Sequence, residues 1–85
     1  MATYKILYWQ EIPSQVRAED EQDEVTVPMP AKFMERIDHV AMHSGMAQSD
    51  DYLAQWRWSD EEDRPGSARE VAEAVAAELA AQTTW

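Results

Sequence analysis

The chain contains no cysteine among its 85 residues, and this limits how so small a protein can be stabilised. Domains of this size have a thin core, and many depend on disulfides or on a metal held by thiolates. Neither is available here. The core must therefore come from aliphatic and aromatic side chains, including four tryptophans and three tyrosines, or be completed by a partner. We expect residues 1–85 to form a single domain.

Strand-forming residues dominate the first part of the chain. The run T-Y-K-I-L-Y-W-Q is β-branched and aromatic, and it predicts a strand over about residues 3–10. Residues 11–24 end in an acidic block, and because Pro13 cannot continue a strand ladder we predict a long acidic connection there. The run V-T-V-P-M predicts a second strand over about residues 25–29, antiparallel to the first.

Two amphipathic helices are predicted in the second part of the chain. Apolar residues recur at helical spacing from Phe33 onward, which predicts a helix over about residues 31–44. The tetrapeptide S-A-R-E matches a capping box, in which a serine side chain and a glutamate side chain satisfy the first free amides of a helix. A second helix is therefore predicted over about residues 68–82.

A third strand is predicted between the helices. The run Y-L-A-Q-W-R-W alternates with period 2 over about residues 52–58, and an acidic connection follows over residues 59–66. Tyr8 and Trp56 are expected in the core. The resulting order is β-β-α-β-α: an α+β fold with a three-stranded, mainly antiparallel sheet and both helices packed on one face.

The charge of the chain disfavours several classes of partner. Seven basic and 17 acidic residues give a formal net charge of −10, so we expect neither nucleic acid nor an anionic membrane to be a partner. No stretch approaches the roughly 20 apolar residues of a membrane span, and the N-terminus does not resemble a signal peptide. A cytoplasmic location is therefore expected. The acidic blocks at residues 19–24 and 60–63 are interpreted as solvated loops, with steering of a basic partner as the alternative.

Signatures of catalysis are missing from the sequence. It has no G-x-S-x-G motif, and its two glycines form neither a dinucleotide fingerprint nor a P-loop. We therefore predict that the chain is not an enzyme and has no catalytic residue or cofactor. His39 and His43 are four residues apart and can share a helix face, but no third ligand is evident. They are weak candidates for a metal site, and an exposed histidine pair is the simpler interpretation.

An outward apolar patch is the strongest indication of a function. If the first strand is regular, Trp9 lies with Leu7 on the open face of the sheet, opposite the helices. Leu53 and Arg57 of the third strand are predicted on the same face. Because a tryptophan beside leucine and arginine is typical of interface anchors, we predict these four residues as partner contacts. The alternative is that the connection over residues 11–24 folds back and covers this face.

Four blocks of the sequence carry a resemblance to known proteins. They are Y-K-I-L-Y-W-Q-E-I-P-S-Q-V, then F-M-E-R-I-D-H-V-A-M with S-D-D-Y-L-A-Q-W-R-W, and finally G-S-A-R-E-V-A-E-A-V-A-A-E-L. In this order they resemble the small bacterial "virulence factor" family over nearly the whole chain. A related segment occurs in conserved virulence factor C proteins, beside a carrier-like scaffold domain and helical repeats. The resemblance implies no established activity, catalytic residue or cofactor.

The leading prediction is therefore a non-catalytic interaction or accessory module of a bacterial enzyme or assembly system. It would bind a protein partner, or a second copy of itself, through the open sheet face. The alternative is a small-ligand or metal-binding protein, which would use His39 and His43 or a pocket between the Trp56/Trp58 strand and the helices. The resemblance links that alternative to one-carbon or metal-centre metabolism. A subunit of an enzyme that only its partner completes is a third possibility.

Overall fold

A computed structural model describes residues 1–45 and 50–82. The fold class is confirmed as α+β with an open antiparallel sheet, but the sheet has five strands, not three. The sheet order is β3-β2-β1-β4, and β5 pairs with β1 beside β4. In chain order the elements are β1 (Ala2–Trp9), β2 (Ile12–Glu19), β3 (Glu24–Pro28), α1 (Ala31–His43), α2 (Asp50–Ala54), β4 (Trp56–Trp58), β5 (Glu62–Arg64) and α3 (Ala68–Gln82).

The first additional strand is β2. The prediction of a connection over residues 11–24 is wrong, because β1 and β2 form an antiparallel hairpin and β2 in turn pairs with β3. Gln10 adopts the left-handed conformation (φ 54°) in the turn between them. Pro13 is tolerated because the register shifts beside it and leaves Ser14 without a partner in β1. Proline is compatible with a strand at such a bulge.

The predicted strand over residues 52–58 is wrong in its first half. Residues 50–54 form the short helix α2, and only Trp56–Trp58 pair with β1. Asp50 and Asp51 lie in the first turn of α2, where carboxylates favour the positive end of the helix dipole. Alternation over so few residues does not distinguish a strand from one turn of helix.

The predicted connection over residues 59–66 contains strand β5. β4 and β5 lie end to end along one edge of β1, and the three residues between them face only Lys5 and Ile6. These three residues form a bulge, and Ser59 hydrogen-bonds to β1 across it. Its Oγ accepts the N–H of Ile6 at 2.8 Å, and its own N–H donates to the Ile6 carbonyl oxygen at 2.8 Å. The side chain thus replaces a ladder hydrogen bond that the bulge removes.

The two longer helices pack on different parts of the sheet. α3 lies across β1, β2 and β3, whereas α1 contacts mainly β2. α3 begins at a cap, because Ser67 Oγ accepts the N–H of Glu70 at 3.2 Å. α1 is followed by Gly45 in the left-handed conformation (φ 76°). Among the described residues, no helix has the length and apolar character needed to cross a membrane.

One apolar cluster forms the core. No polar or charged residue in the described part of the chain is buried. The largest side chains that are almost fully enclosed come from strands and from both longer helices: Trp9, Val16, Phe33, Ile37 and Val71. Small residues of α3, including Ala68, Ala72 and Ala76, let this helix approach the sheet closely.

Asp20 connects the β2–β3 turn to the first residue of α3. Its Oδ1 accepts the N–H groups of Gln22 and Asp23, both at 2.7 Å. Its Oδ2 accepts the N–H of Ala68 at 2.8 Å, so one carboxylate holds two segments far apart in sequence. These bonds, that to Ala68 most of all, lower the pKa of the Asp20 carboxyl below its usual value.

We expect Asp20→Asn to reduce the free energy of unfolding at neutral pH, and the difference from wild type to shrink in acid. The folded-state pKa of Asp20 is below the unfolded value of about 3.9. The stabilisation is therefore complete above the unfolded value and is lost as the pH falls through the folded one. Urea unfolding between about pH 7 and about pH 3 measures it, with the exposed Asp38→Asn as the control. A difference that stays constant over this range contradicts the assignment.

Candidate interaction surface

Trp9, the expected anchor, lies in the core. Its side chain is 0% exposed, its indole N–H donates to the Tyr52 carbonyl oxygen at 2.9 Å, and the two rings lie 5.5 Å apart. The prediction that Trp9 faces outward is therefore wrong. The physical reason is α2, because the residues expected to extend the third strand form a helix whose Tyr52 covers Trp9.

The other three predicted contacts do not form one surface. Arg57 lies opposite Tyr8, with its guanidinium 4.9 Å from the ring centre and one N–H donated to the Gln10 carbonyl oxygen at 3.2 Å. Because neighbouring residues of a strand point to opposite faces, Arg57 and Leu7 lie on different faces of the sheet. Leu53 is 67% exposed, but it belongs to α2 and not to the sheet.

Trp58 takes the place that was predicted for Trp9. It pairs with Leu7 across β1 and β4, so the two side chains are direct neighbours on one face. Trp58 is 40% exposed, and the Lys5 ammonium lies 4.7 Å from the centre of its ring, a cation–π geometry. The sequence placed Trp58 on the same side of its strand as Trp56, and so did not select it. The sequence signal that could have identified Trp58 is its position at the end of the strand, one residue before an acidic block.

We define the open face as the sheet face that carries Leu7 and the residues in register with it. Paired residues of antiparallel strands share a face, so the register divides this face into three rows. These are an acidic row (Glu24, Glu19, Thr3, Asp63), a basic row (Thr26, Arg17, Lys5) and an apolar row (Pro28, Gln15, Leu7, Trp58). The fold thus brings parts of the two acidic blocks to either side of Thr3.

Electrostatics link the acidic row to the basic row. Arg17 forms an ion pair with Glu24. The pair raises the pKa of the Arg17 guanidinium and lowers that of the Glu24 carboxyl, so both remain charged at neutral pH. Both groups are exposed, and such a pair contributes little to stability. Its main effect is to fix the pattern of charge that a partner would meet.

A solvent-open groove of about 440 Å³ follows β4 and β5. Residues of strands and of the β4–β5 connection line it, so it differs from the pocket predicted between the Trp56/Trp58 strand and the helices. Tyr4, Ile6 and Tyr8 contribute to its wall, together with Arg57. The Tyr4 hydroxyl donates to Glu62 at 2.8 Å, and this bond is the main cause that raises the pKa of Tyr4. The groove has aromatic walls and no strongly enclosed part.

His39 and His43 lie side by side on the exposed surface of α1, with ring centres 4.1 Å apart. This is the arrangement predicted from their spacing. No group of three or more histidine, aspartate, glutamate or cysteine side chains is placed to hold a metal in residues 1–45 and 50–82. A metal at this helix would have two protein ligands from the described chain.

Comparison with known proteins agrees with the resemblance of the sequence blocks. Neither the curated proteins nor the solved structures give a match to this chain. A family model described as "Virulence factor" matches residues 7–84, which begin within β1 and extend through all of α3. The match covers far more than half of the chain, and the chain therefore belongs to the virulence factor family.

Proposed function

We propose that the chain is a non-catalytic interaction or accessory module of a bacterial enzyme or assembly system, and that it acts in the cytoplasm. It binds a protein partner through the open face. The observation that supports this proposal is the pair formed by the half-buried Leu7 and the exposed Trp58, with Lys5 against the tryptophan ring.

The apolar row supplies the anchor of this surface. Tryptophan is enriched among the residues that dominate interface energies, because it removes a large area from water while losing few rotatable bonds. In Trp58 this area is still partly accessible, and Leu7 extends it across the strand boundary. Lys5 keeps the ring in a defined position before a partner arrives, which lowers the entropy lost on binding.

The charged rows define the chemistry of the partner. Leu7 lies four positions after Thr3 in β1, so the acidic row lies about 13 Å from the apolar row. A protein surface fits when its apolar side chain covers Leu7 and Trp58, a carboxylate meets Lys5, and lysine or arginine meets the acidic row. The net charge of −10 raises the association rate with a partner that is basic overall.

We expect Trp58→Ala to weaken the complex by about 30-fold in Kd, equivalent to about 2 kcal/mol, without unfolding the chain. The partner is first isolated with the wild-type chain as bait and then purified, so that Kd can be measured by calorimetry. Met42→Ala is the matched control, because Met42 is 71% exposed on α1, away from the sheet. If Trp58→Ala and Met42→Ala bind equally well, the open face is not the docking site.

The alternative, a small-ligand or metal-binding protein linked to one-carbon or metal-centre metabolism, is supported by the proximity of His39 and His43. Thermal unfolding with added Zn²⁺ or Ni²⁺, and with folate and corrinoid compounds, tests it, because a ligand of the native state raises Tm. A rise with metal that His39→Ala abolishes would favour the alternative. No rise with any compound would favour the interaction module.

A further inference from the structure

The two edges of the sheet are protected to different degrees. The β4–β5 edge is interrupted by the bulge at Ser59, and four consecutive carboxylates follow over residues 60–63. β3, at the other edge, pairs regularly with β2 over all five residues, has no bulge, and carries only Glu24 and Pro28, at its two ends, as residues that oppose pairing. Bulges and charges are the usual means by which edge strands avoid pairing with other chains. β3 therefore has the less protected edge.

The register identifies which backbone groups of β3 point outward. Met29 continues the pairing of β3, and its N–H donates to the Ser14 carbonyl oxygen at 3.0 Å. Because hydrogen-bonded positions alternate in an antiparallel ladder, Val25 and Val27 also direct their N–H and C=O groups toward β2. The corresponding groups of Glu24 and Thr26 point away from the sheet. So does the nitrogen of Pro28, which has no hydrogen to donate.

We propose that β3 pairs antiparallel with β3 of a second copy of this chain, with Thr26 opposite its counterpart. In this register the two Thr26 residues exchange both of their N–H···O bonds. The N–H of Glu24 donates to the carbonyl oxygen of the second copy's Pro28, once on each side of the two-fold axis. All four bonds use groups that face outward, and none requires a proline N–H. The contact is isologous, so it closes as a dimer.

The charges near β3 favour pairing with a second copy of the chain, in the register that places Thr26 opposite its counterpart. Antiparallel pairing places the acidic turn over residues 20–24 of one copy beside the start of α1 in the other. α1 has no acidic residue in its first turn and no side-chain cap at Pro30, and its exposed Lys32 lies in that turn. Carboxylates are favourable at such a helix end. Glu24 lies opposite Pro28, not opposite a second Glu24.

Edge pairing leaves the open face uncovered, so this inference does not rest on the proposed function. Each copy has a net charge of −10, and the resulting repulsion opposes association. We therefore expect a modest affinity, with Kd on the order of 10 µM. Sedimentation equilibrium of the full chain, at concentrations up to about 1 mM, should show the mass rise from 9.8 kDa to twice that value.

Thr26→Pro is the decisive variant. It removes an outward N–H and none of the hydrogen bonds between β3 and β2, so we expect a folded monomer. Thr26→Val keeps the N–H and should remain a dimer, as should Trp58→Ala, which changes only the open face. Independently, the Thr26 amide should exchange its hydrogen more slowly as the concentration of wild-type chain rises.

Charge reversal provides the second test, in case Thr26→Pro fails to fold. Lys32→Glu places a carboxylate where the acidic turn of the second copy would lie, and we expect Kd to rise at least about tenfold. Far-UV circular dichroism verifies that each variant is folded. A wild-type chain that remains a monomer at about 1 mM overturns the proposal. The proposal is also overturned if the wild-type chain dimerises and the folded Thr26→Pro and Lys32→Glu variants dimerise equally well.

Discussion

Trp9→Ala is expected to lower the free energy of unfolding by about 3–5 kcal/mol. The indole is wholly enclosed, so its removal leaves a cavity in a thin core. The Tyr52 carbonyl oxygen also loses its donor, and with it the bond that ties α2 to β1. Because a small domain has a total stability of only about 5 kcal/mol or slightly more, much of the variant should be unfolded. Urea denaturation followed by circular dichroism measures the change.

Trp58→Ala is the matched control for this experiment. It removes the same side chain from an exposed position, and we expect a change within about 0.5 kcal/mol. Trp9→Phe should fall between the two, since it refills part of the cavity but donates no hydrogen bond to Tyr52. If Trp9→Ala costs no more than Trp58→Ala, then Trp9 is not a core residue and the original interpretation of an outward anchor returns.

Phe33→Ala is expected to have a similar effect, about 3–5 kcal/mol, through the packing of α1. Phe33 is 0% exposed, and with Ile37 and Ala41 it forms the buried side of α1. This helix contacts mainly one strand, β2, so few other contacts can compensate for the loss. The substitution itself favours helix formation slightly, which means that any loss of stability reports packing and not propensity.

Urea denaturation of the Phe33→Ala variant, followed by two spectroscopic signals, measures this loss of stability. Tryptophan fluorescence and far-UV circular dichroism should shift together to lower urea concentration, because one apolar cluster connects α1 to the sheet. Met42→Ala, on the exposed side of the same helix, should stay within about 0.5 kcal/mol of wild type. Two separate transitions, or equal losses for the two variants, would mean that α1 is not part of the common core.

The helices were largely predictable because their signals are local. The capping box around Ser67 and Glu70 acts over three residues, and the bond between them is present. Apolar spacing from Phe33 identified the buried side of α1 in the same way. Gly45 follows this helix in the left-handed conformation (φ 76°), which glycine adopts readily and which commonly ends helices. Each of these features can be evaluated without knowing where the rest of the chain lies.

The strands were less predictable because strand pairing is not local. Pro13 indicated a break, yet a bulge opposite β1 accommodates it, and that bulge exists only when the two strands are paired. The acidic run over residues 60–63 predicts a solvent-exposed loop when the sequence is taken alone. Exposed side chains are compatible with an edge strand. Pairing with β1 places Glu62 and Asp63 of this run in β5.

The candidate site shows the same difference between local signals and contacts with distant parts of the chain. Leu7 was predicted on the open face from alternation alone, and its register with Trp58 gives it an exposed aromatic neighbour. Trp9 follows the same alternation, but its exposure depends on Tyr52, which is 43 residues away in the chain. Period-2 alternation predicts on which face of a strand a side chain lies. It does not predict which other segment packs against that face.

By itself, therefore, the sequence determined the fold class, the longer helices, the family and the acidic character of the chain. The tertiary structure alone decided the number of strands, the burial of Trp9, the selection of Trp58 and the convergence of the two acidic blocks on Thr3. The physical reason is the range of the interactions. Caps and periodicity act within a few residues, whereas register and burial depend on which distant segment packs against a given side chain.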